Sequence, residues 1–290
     1  MALNSNRFTL GHSPDPDDAF MFYAMAKEKI NLRGYQFEHR LEDIQTLNER
    51  AVRGELHISA ISIHAFAYVG DRYALLPCGA SMGDGYGPMI VATDTNGLDN
   101  GASDEKIQQW LRRRIIAIPG RMTSAYLALK LYLGDFEHVV LPFDKIFEAV
   151  KTGQAQAGLI IHEGQLTYPG AGFKKVVDLG EWWKRETDLP LPLGGNVLRK
   201  DIQPSIQRDL VEILRESIDF GLAHREEAVK HSMPYARDMD EKLADRFIGM
   251  YVNDYTRDYG PLGRKAIGQF LERAYEKGYL EKRPRVEFLA

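Results

Sequence analysis

Residues 11–22, with the sequence GHSPDPDDAFMF, lie where the first apolar strand of the chain gives way to its first helix. Positions 14–18 hold three aspartates and two prolines. The prolines fix backbone angles, which suits a rigid loop that holds polar groups still. Asp17 or Asp18 at the start of the helix favours the helix dipole and the free N–H groups. The stretch is therefore either a helix cap alone or a cap at the rim of a binding site.

Strands and helices alternate outward from this stretch. A strand is predicted before it at residues 8–10, and a helix from about residue 17 to residue 29 follows it. Next come a strand at 35–39, a helix at 43–53 that ends on Gly54, and a strand at 56–61 that ends at Ser62. This alternation predicts an α/β fold with largely parallel sheets.

A second run of the chain repeats this layout. The predicted elements are a helix from residue 103, a strand at 115–118, a loop at 119–124, a helix from 125, and a strand at 157–161 that delivers His162. Because ligands of such sheets bind at the carboxyl ends of the strands, three places are expected to matter. They are the 11–18 loop, residues 59–62, and the 119–124 loop together with His162.

The segment at 186–201, ETDLPLPLGGNVLRKD, is predicted to cross back to the first lobe, because it holds two prolines and two glycines. Helical periodicity follows at about 203–219, 221–230, 239–252 and 262–277. We therefore predict one discontinuous lobe, residues 1–94 and 190–290, which includes the C-terminal helices. A second lobe is predicted to comprise residues 95–189.

Composition excludes several classes of protein. The 290 residues carry a net charge of −4, which gives no indication of a nucleic-acid partner. No run approaches the roughly 18 apolar residues of a membrane-spanning helix, and the N-terminus does not resemble a signal peptide. The single cysteine, Cys78, cannot form an internal disulfide, which fits a reducing compartment. We expect a cytoplasmic protein, and the C-terminal helices offer surfaces on which a homodimer could form.

Two polar sites follow predicted strands of the second lobe. Thr123 and Ser124 lie where a strand gives way to a helix, and hydroxyls with free N–H groups there suit a carboxylate or phosphate. The alternative, an ordinary helix cap, accounts for most such sequences. His162 lies at a strand end, a good place for a general base because imidazole titrates near neutral pH. The alternative for His162 is a hydrogen-bonded structural histidine.

Motifs for metals and nucleotides are missing from the sequence. The 11–18 loop lacks the glycine and distal glutamate of a calcium loop, and proline interrupts it. His57 and His64 have no acidic or thiol partner at ligand spacing. There is no nucleophile elbow, Walker motif or dinucleotide fingerprint. We therefore expect neither a metal nor an organic cofactor.

Five motifs in this order resemble the 1,4-dihydroxy-6-naphthoate synthases of the futalosine route to menaquinone. They are LGHSPDPDDAFMFYAM at 10–25, RMTSAYLAL at 121–129, GLIIHEGQLTY at 158–168, LPLGGN at 191–196 and YVNDYTRDYG at 251–260. The resemblance covers nearly the whole chain. It implies a type II periplasmic-binding-protein-like fold, with mixed sheets flanked by helices and a ligand cleft between two lobes.

The resemblance also implies a reaction. A lyase of this family cuts cyclic dehypoxanthine futalosine, a carboxylated small molecule, into 1,4-dihydroxy-6-naphthoate and a small sugar-derived fragment. The cleavage is a retro-aldol step that needs no cofactor. The catalytic histidine of the family matches His162, and its carboxylate-binding pair matches Thr123 and Ser124.

Further contacts follow from the same resemblance. A substrate contact at the end of a strand matches Ala60, Ile61 and Ser62, where the family has a lysine in place of Ala60. Asp15 or Asp17 is expected to hydrogen-bond the substrate hydroxyls or to orient His162. Two alternatives stay open: a small-carboxylate binding protein of the same fold, and the sister chorismate dehydratase.

Overall fold

The computed structural model describes residues 6–99, 101–237 and 239–289. The chain divides into two units. Unit 1 comprises Met1–Met82 and Pro192–Ala290, and unit 2 comprises Gly83–Leu191.

The residues that the structure describes form eleven strands. They are β1 (Arg7–His12), β2 (Gln36–Leu41), β3 (Ile58–Ser62), β4 (Tyr73–Leu75), β5 (Ser81–Gly83), β6 (Met89–Ala92), β7 (Ile116–Ile118), β8 (His138–Val140), β9 (Ala157–Ile160), β10 (Lys174–Asp178) and β11 (Leu191–Arg199).

The same described residues form fourteen α-helices. They are α1 (Pro16–Met21), α2 (Tyr23–Ala26), α3 (Ile44–Arg53), α4 (Ile63–Val69), α5 (Asp104–Leu111), α6 (Ser124–Leu133), α7 (Ile146–Lys151), α8 (Gly164–Thr167), α9 (Leu179–Thr187), α10 (Pro204–Ala223), α11 (Arg225–Ser232), α12 (Glu241–Tyr251), α13 (Asp254–Arg257) and α14 (Gly260–Glu276). Short 3-10 helices cover Phe143–Lys145 and Met233–Tyr235.

The first sheet has six strands in the order β2-β1-β3-β11-β4, with β5 paired to β11. β1 runs parallel to β2 and β3, whereas β11 is antiparallel to β3 and β4. Parallel pairing places the carboxyl ends of β1 and β3 at one edge of the sheet. α1, α2 and α10 cover a sheet face through a buried apolar cluster. That cluster includes Phe8, Leu10, Met21, Phe22, Ile58, Leu198, Leu210 and Leu214.

The second sheet has the order β10-β6-β9-β7-β8. β7 runs parallel to β8 and β9, and β6 is antiparallel to β9 and β10. The carboxyl ends of β7 and β9 therefore share an edge. The core against α7 includes Val91, Ala117, Ile146, Val150, Ile160 and Phe173.

Three expectations about the elements need correction. The helix predicted at 17–29 is two short helices, because the chain turns at Phe22 (φ −94°, ψ 5°). The segment 186–201 contains the nine-residue strand β11, whose glycines masked its strand pattern. The predicted boundary at residue 94 differs from the observed one, because β6 pairs with strands of unit 2.

The helix at 43–53 is confirmed. Asp43 caps it by accepting hydrogen bonds from the amides of Gln45 (3.0 Å) and Thr46 (3.1 Å). Gly54 ends it in the left-handed conformation at φ 73°. Among the residues that the structure describes, no helix combines the length and hydropathy needed to cross a bilayer.

Candidate functional site

The 13–18 turn in unit 1 connects β1 to α1. Asp15 occupies the N-cap position of α1, but its side chain makes no capping hydrogen bond. Asp18 instead reaches back, and its Oδ2 accepts the Ser13 amide hydrogen bond at 2.6 Å. Pro16 stands at the first helical position, where its missing N–H costs nothing. Instead of the expected cap by Asp17 or Asp18, the structure therefore has a hydrogen bond from the Ser13 amide to Asp18 that spans the turn.

The three acids of this turn differ in their surroundings. Burial raises the pKa of Asp18 to about 6, although hydrogen bonds from Ser13 oppose that shift. Burial, followed by the charges of Asp18 and Asp15, raises the pKa of Asp17 well above its usual value. Asp15 forms an ion pair with Arg237, with Oδ1 and Nη1 3.3 Å apart. The turn thus holds one carboxylate that is paired with an arginine, Asp15, and two carboxyls with a raised pKa, Asp17 and Asp18.

The end of β3 lies at the same sheet edge as this turn. Asn48 on α3 fixes Ser62 through two buried hydrogen bonds. The Ser62 amide donates to Asn48 Oδ1 (2.8 Å), and Asn48 Nδ2 donates to Ser62 Oγ (3.0 Å). Ile61 is fully buried, and Ala60 packs in an apolar cluster with Leu47 and Leu56. Ala60 is therefore part of an apolar contact.

Thr123 caps α6 in unit 2. Its hydroxyl accepts the Tyr126 amide hydrogen bond (3.1 Å) and donates to the Gly120 carbonyl (2.9 Å). Thr123 and Ser124 are both buried, with 2% exposure each. The helix-cap interpretation is therefore correct for the Thr123 hydroxyl. An anion at this helix end would meet the backbone amides of the first turn, which have no acceptor within a helix.

His162 follows β9 and is buried, with 9% exposure. Its Nδ1 lies 3.1 Å from the Gly164 amide nitrogen, and its Nε2 lies 3.2 Å from the Phe143 carbonyl oxygen. An amide only donates and a carbonyl only accepts, so the neutral ring carries its proton on Nε2 and a lone pair on Nδ1. The Phe143 ring meets the imidazole edge-on, with centroids 5.1 Å apart.

Glu163 brings a carboxylate to the same ring. Its Oε2 lies 3.5 Å from His162 Nδ1, and the Glu163 side chain is only 6% exposed. A proton gained at Nδ1 would therefore arrive 3.5 Å from a buried carboxyl oxygen. No sequence signal singled out Glu163, since an acidic residue after a histidine is common.

The structure thus gathers the predicted residues into two sets. In unit 1, Asp15, Asp17 and the β3 end, residues 60–62, lie at the edge formed by β1 and β3. In unit 2, Thr123, Ser124 and His162 lie at the edge formed by β7 and β9. Within residues 6–99, 101–237 and 239–289, no cluster of three or more His, Cys, Asp or Glu side chains is arranged to hold a metal ion.

Comparison with known proteins identifies relatives along the whole chain. A family model for menaquinone biosynthesis matches residues 8–276. A 1,4-dihydroxy-6-naphthoate synthase from Thermus thermophilus is 37% identical over 97% of this chain and 98% of its own. A synthase of the same name from Streptomyces coelicolor is 34% identical over 95% of each chain.

Solved structures agree with the fold. A crystal structure of an Archaeoglobus fulgidus protein superposes with a TM-score of 0.87 at 43% identity, covering 96% of this chain and 100% of its own. A Candida albicans protein with the generic periplasmic binding protein fold superposes with a TM-score of 0.70 at 13% identity, covering 95% and 91%. The predicted periplasmic-binding-protein-like fold is confirmed, as is the predicted family. The chain belongs to the menaquinone biosynthesis family.

Proposed function

We propose that the chain is a carbon–carbon lyase that converts cyclic dehypoxanthine futalosine into 1,4-dihydroxy-6-naphthoate and a small sugar-derived fragment. The near full-length similarity to two proteins named 1,4-dihydroxy-6-naphthoate synthase carries this proposal. The geometry of His162 supports it, because the backbone holds the ring in the tautomer that has a lone pair on Nδ1.

His162 Nδ1 acts as the general base. It takes the proton of a hydroxyl on the sugar-derived part, and that hydroxyl carbon becomes a carbonyl as the adjacent carbon–carbon bond breaks. The electron pair of this bond passes into the ketone-bearing ring system as an enolate. His162 returns the proton to the enolate oxygen, and the ring system becomes aromatic. A positioned base contributes about 10²–10⁴ in rate.

Access to Nδ1 requires one local change. The Gly164 amide occupies the lone pair in the structure, so the substrate hydroxyl must displace that hydrogen bond. The exchange gives Nδ1 a new hydrogen bond but takes the acceptor from the buried Gly164 amide, at a cost of about 1–3 kcal/mol that substrate binding must offset. The proton on Nε2 keeps its acceptor, the Phe143 carbonyl, throughout. The ring therefore stays oriented while its charge changes.

The carboxylate of the substrate binds at the first turn of α6. Thr123 shapes this turn but uses its hydroxyl on Gly120 and Tyr126, so the donors to the carboxylate are the backbone amides and Ser124. The helix dipole adds to this attraction. Asp15 and Asp17 are proposed to contact the substrate hydroxyls, with Asp15 held in place by Arg237.

The test is an incubation of purified protein with cyclic dehypoxanthine futalosine and a metal chelator, read by mass spectrometry. We expect 1,4-dihydroxy-6-naphthoate to form, and His162→Ala to lower kcat by about 10²–10⁴ with the fold intact. Intact substrate that still raises the melting temperature would indicate a binding protein. Turnover of chorismate instead would indicate the dehydratase. An unchanged kcat in His162→Ala would refute the assignment of the base.

We also propose that the reaction takes place in the cytoplasm. A composition with one cysteine in 290 residues supports this location, and Cys78 is buried. Cell fractionation with an antibody against the chain tests it; recovery outside the cytoplasmic fraction would contradict it.

A further inference from the structure

His12, the last residue of β1, lies beneath the 13–18 turn with 5% exposure. Its Nδ1 lies 3.1 Å from the Ser13 carbonyl oxygen, and its Nε2 lies 3.0 Å from Nδ1 of His39 on β2. The ring stacks on Phe22, with centroids 4.7 Å apart. Both nitrogens and one face of this imidazole are therefore engaged.

These contacts allow one arrangement of protons. A carbonyl oxygen only accepts, so His12 Nδ1 carries a hydrogen and donates it to Ser13. In the neutral ring, His12 Nε2 is then an acceptor, and His39 Nδ1 must be the donor to it. The hydrogen bonds run in one direction, from His39 to His12 and from His12 to the Ser13 carbonyl.

The surroundings keep both rings neutral. Burial, with the nearby His39, lowers the pKa of His12 to about 3. Burial also lowers the pKa of His39, and His231 on α11 adds to this shift. Burial, followed by the charge of Lys27, lowers the pKa of His231 as well.

Both backbone polar groups of Ser13 are consequently held, and they belong to two successive peptide units. His12 donates to its carbonyl, and Asp18 accepts from its amide at 2.6 Å. Rotation of the Ser13–Pro14 peptide would break the bond from His12, and rotation of the His12–Ser13 peptide would break the bond to Asp18. Either rotation would move the turn that carries Asp15 and Asp17. The turn is thus fixed by Asp18 at its own end, and by His12 and His39, which lie outside it on β1 and β2.

We propose that His12 and His39 are positioning residues, a neutral imidazole pair that fixes the Ser13 carbonyl and with it the substrate-contacting geometry of Asp15 and Asp17. The consequence for substrate binding rests on the proposed function. The hydrogen-bond direction itself does not depend on any substrate.

The first experiment is ¹⁵N NMR of the imidazoles in the free full-length protein at neutral pH, assigned with His12→Asn and His39→Asn. We expect His12 to carry its proton on Nδ1 and none on Nε2. We expect His39 to carry a proton on Nδ1. A His12 ring protonated on Nε2 would overturn the proposal. This measurement needs no turnover, so it decides the proposal even if the proposed reaction fails.

The second experiment compares His39→Leu with His39→Asn in steady-state kinetics. Leucine removes the donor to His12, whereas an asparagine amide places an N–H close to where Nδ1 was. We expect His39→Leu to raise KM about tenfold with kcat within about threefold, and His39→Asn to recover most of the loss. The control is His224→Leu, which changes an exposed histidine of the same unit. An unchanged KM in His39→Leu, or equal losses in both variants, would refute the positioning role.

Discussion

Replacing Glu163 by glutamine tests whether the carboxylate beside His162 stabilises the protonated base. The change keeps the size of the side chain and removes its charge. Glu163 Oε2 lies 3.5 Å from His162 Nδ1, and both side chains are largely buried. The charge of the carboxylate bears on the proposed proton transfer. It matters once Nδ1 has taken the substrate proton.

The distance sets the size of the effect. Two unit charges 3.5 Å apart attract by about 5 kcal/mol at an effective dielectric constant of about 20, and by about 1 kcal/mol in bulk water. One power of ten in rate corresponds to about 1.4 kcal/mol. Because the cost of burying the carboxylate offsets part of this attraction, we expect Glu163→Gln to lower kcat about 10- to 100-fold.

Steady-state kinetics at saturating substrate, with the product followed by mass spectrometry, would measure this effect. KM should change little, because the charge interaction forms after substrate binds. The matched control is Glu148→Gln, which changes an exposed glutamate on α7 that pairs only loosely with Lys145 (3.5 Å). If Glu163→Gln retains kcat within twofold of the unmodified enzyme, the carboxylate does not stabilise the protonated base.

Two further predictions concern stability. Thr123→Ala removes the cap on the Tyr126 amide and should lower the free energy of unfolding by about 0.5–2 kcal/mol in urea titrations. The control is Ser103→Ala, which should lower it less, because Ser103 caps α5 at a longer distance of 3.5 Å. Equal losses in the two variants would contradict this ranking. Burial raises the pKa of Asp178 from 3.8 to about 6, so the folded protein holds this proton more tightly than the unfolded chain. The free energy of unfolding therefore falls as pH rises from about 4 through 6. Asp178→Asn keeps an oxygen that can accept from the Gly180 and Glu181 amides, and should raise the free energy of unfolding by about 1–3 kcal/mol at pH 7.5 but not at pH 4. A variant that is less stable at pH 7.5 would show that burial of the charge is not the dominant effect.

Local signals in the sequence predicted the elements that depend on local chemistry. Asp43 and Gly54 bracket α3 as expected, and Thr123 caps α6. His162 was singled out because a polar residue at the end of an apolar strand is a local pattern, and the structure places it after β9 as that pattern predicts. Each of these follows from side chains within a few residues of the position they act on.

Features that depend on distant parts of the chain escaped prediction. The turn at Phe22 is set by packing of that ring on His12 and in the core of unit 1, which no periodicity encodes. The bond between His12 and His39 exists because β1 and β2 pair in parallel, so that residues 27 positions apart meet. The surroundings of Ala60 also depend on distant residues. Only the packing of Leu47 and Leu56 in the structure shows that this position is apolar.

The place of β11 in the first sheet has a consequence for the newly made chain. β11 pairs along one edge of β3, yet about 130 residues, including nearly all of unit 2, separate the two strands in sequence. At about 5–20 residues per second, a ribosome needs roughly 6–26 s to supply that partner. Every residue of β3 is buried in the finished protein. During that time, the side of β3 that β11 will cover therefore has no partner strand. Unit 2 is complete in sequence before unit 1 can close, and the nascent chain must keep β3 from pairing with another copy until β11 emerges.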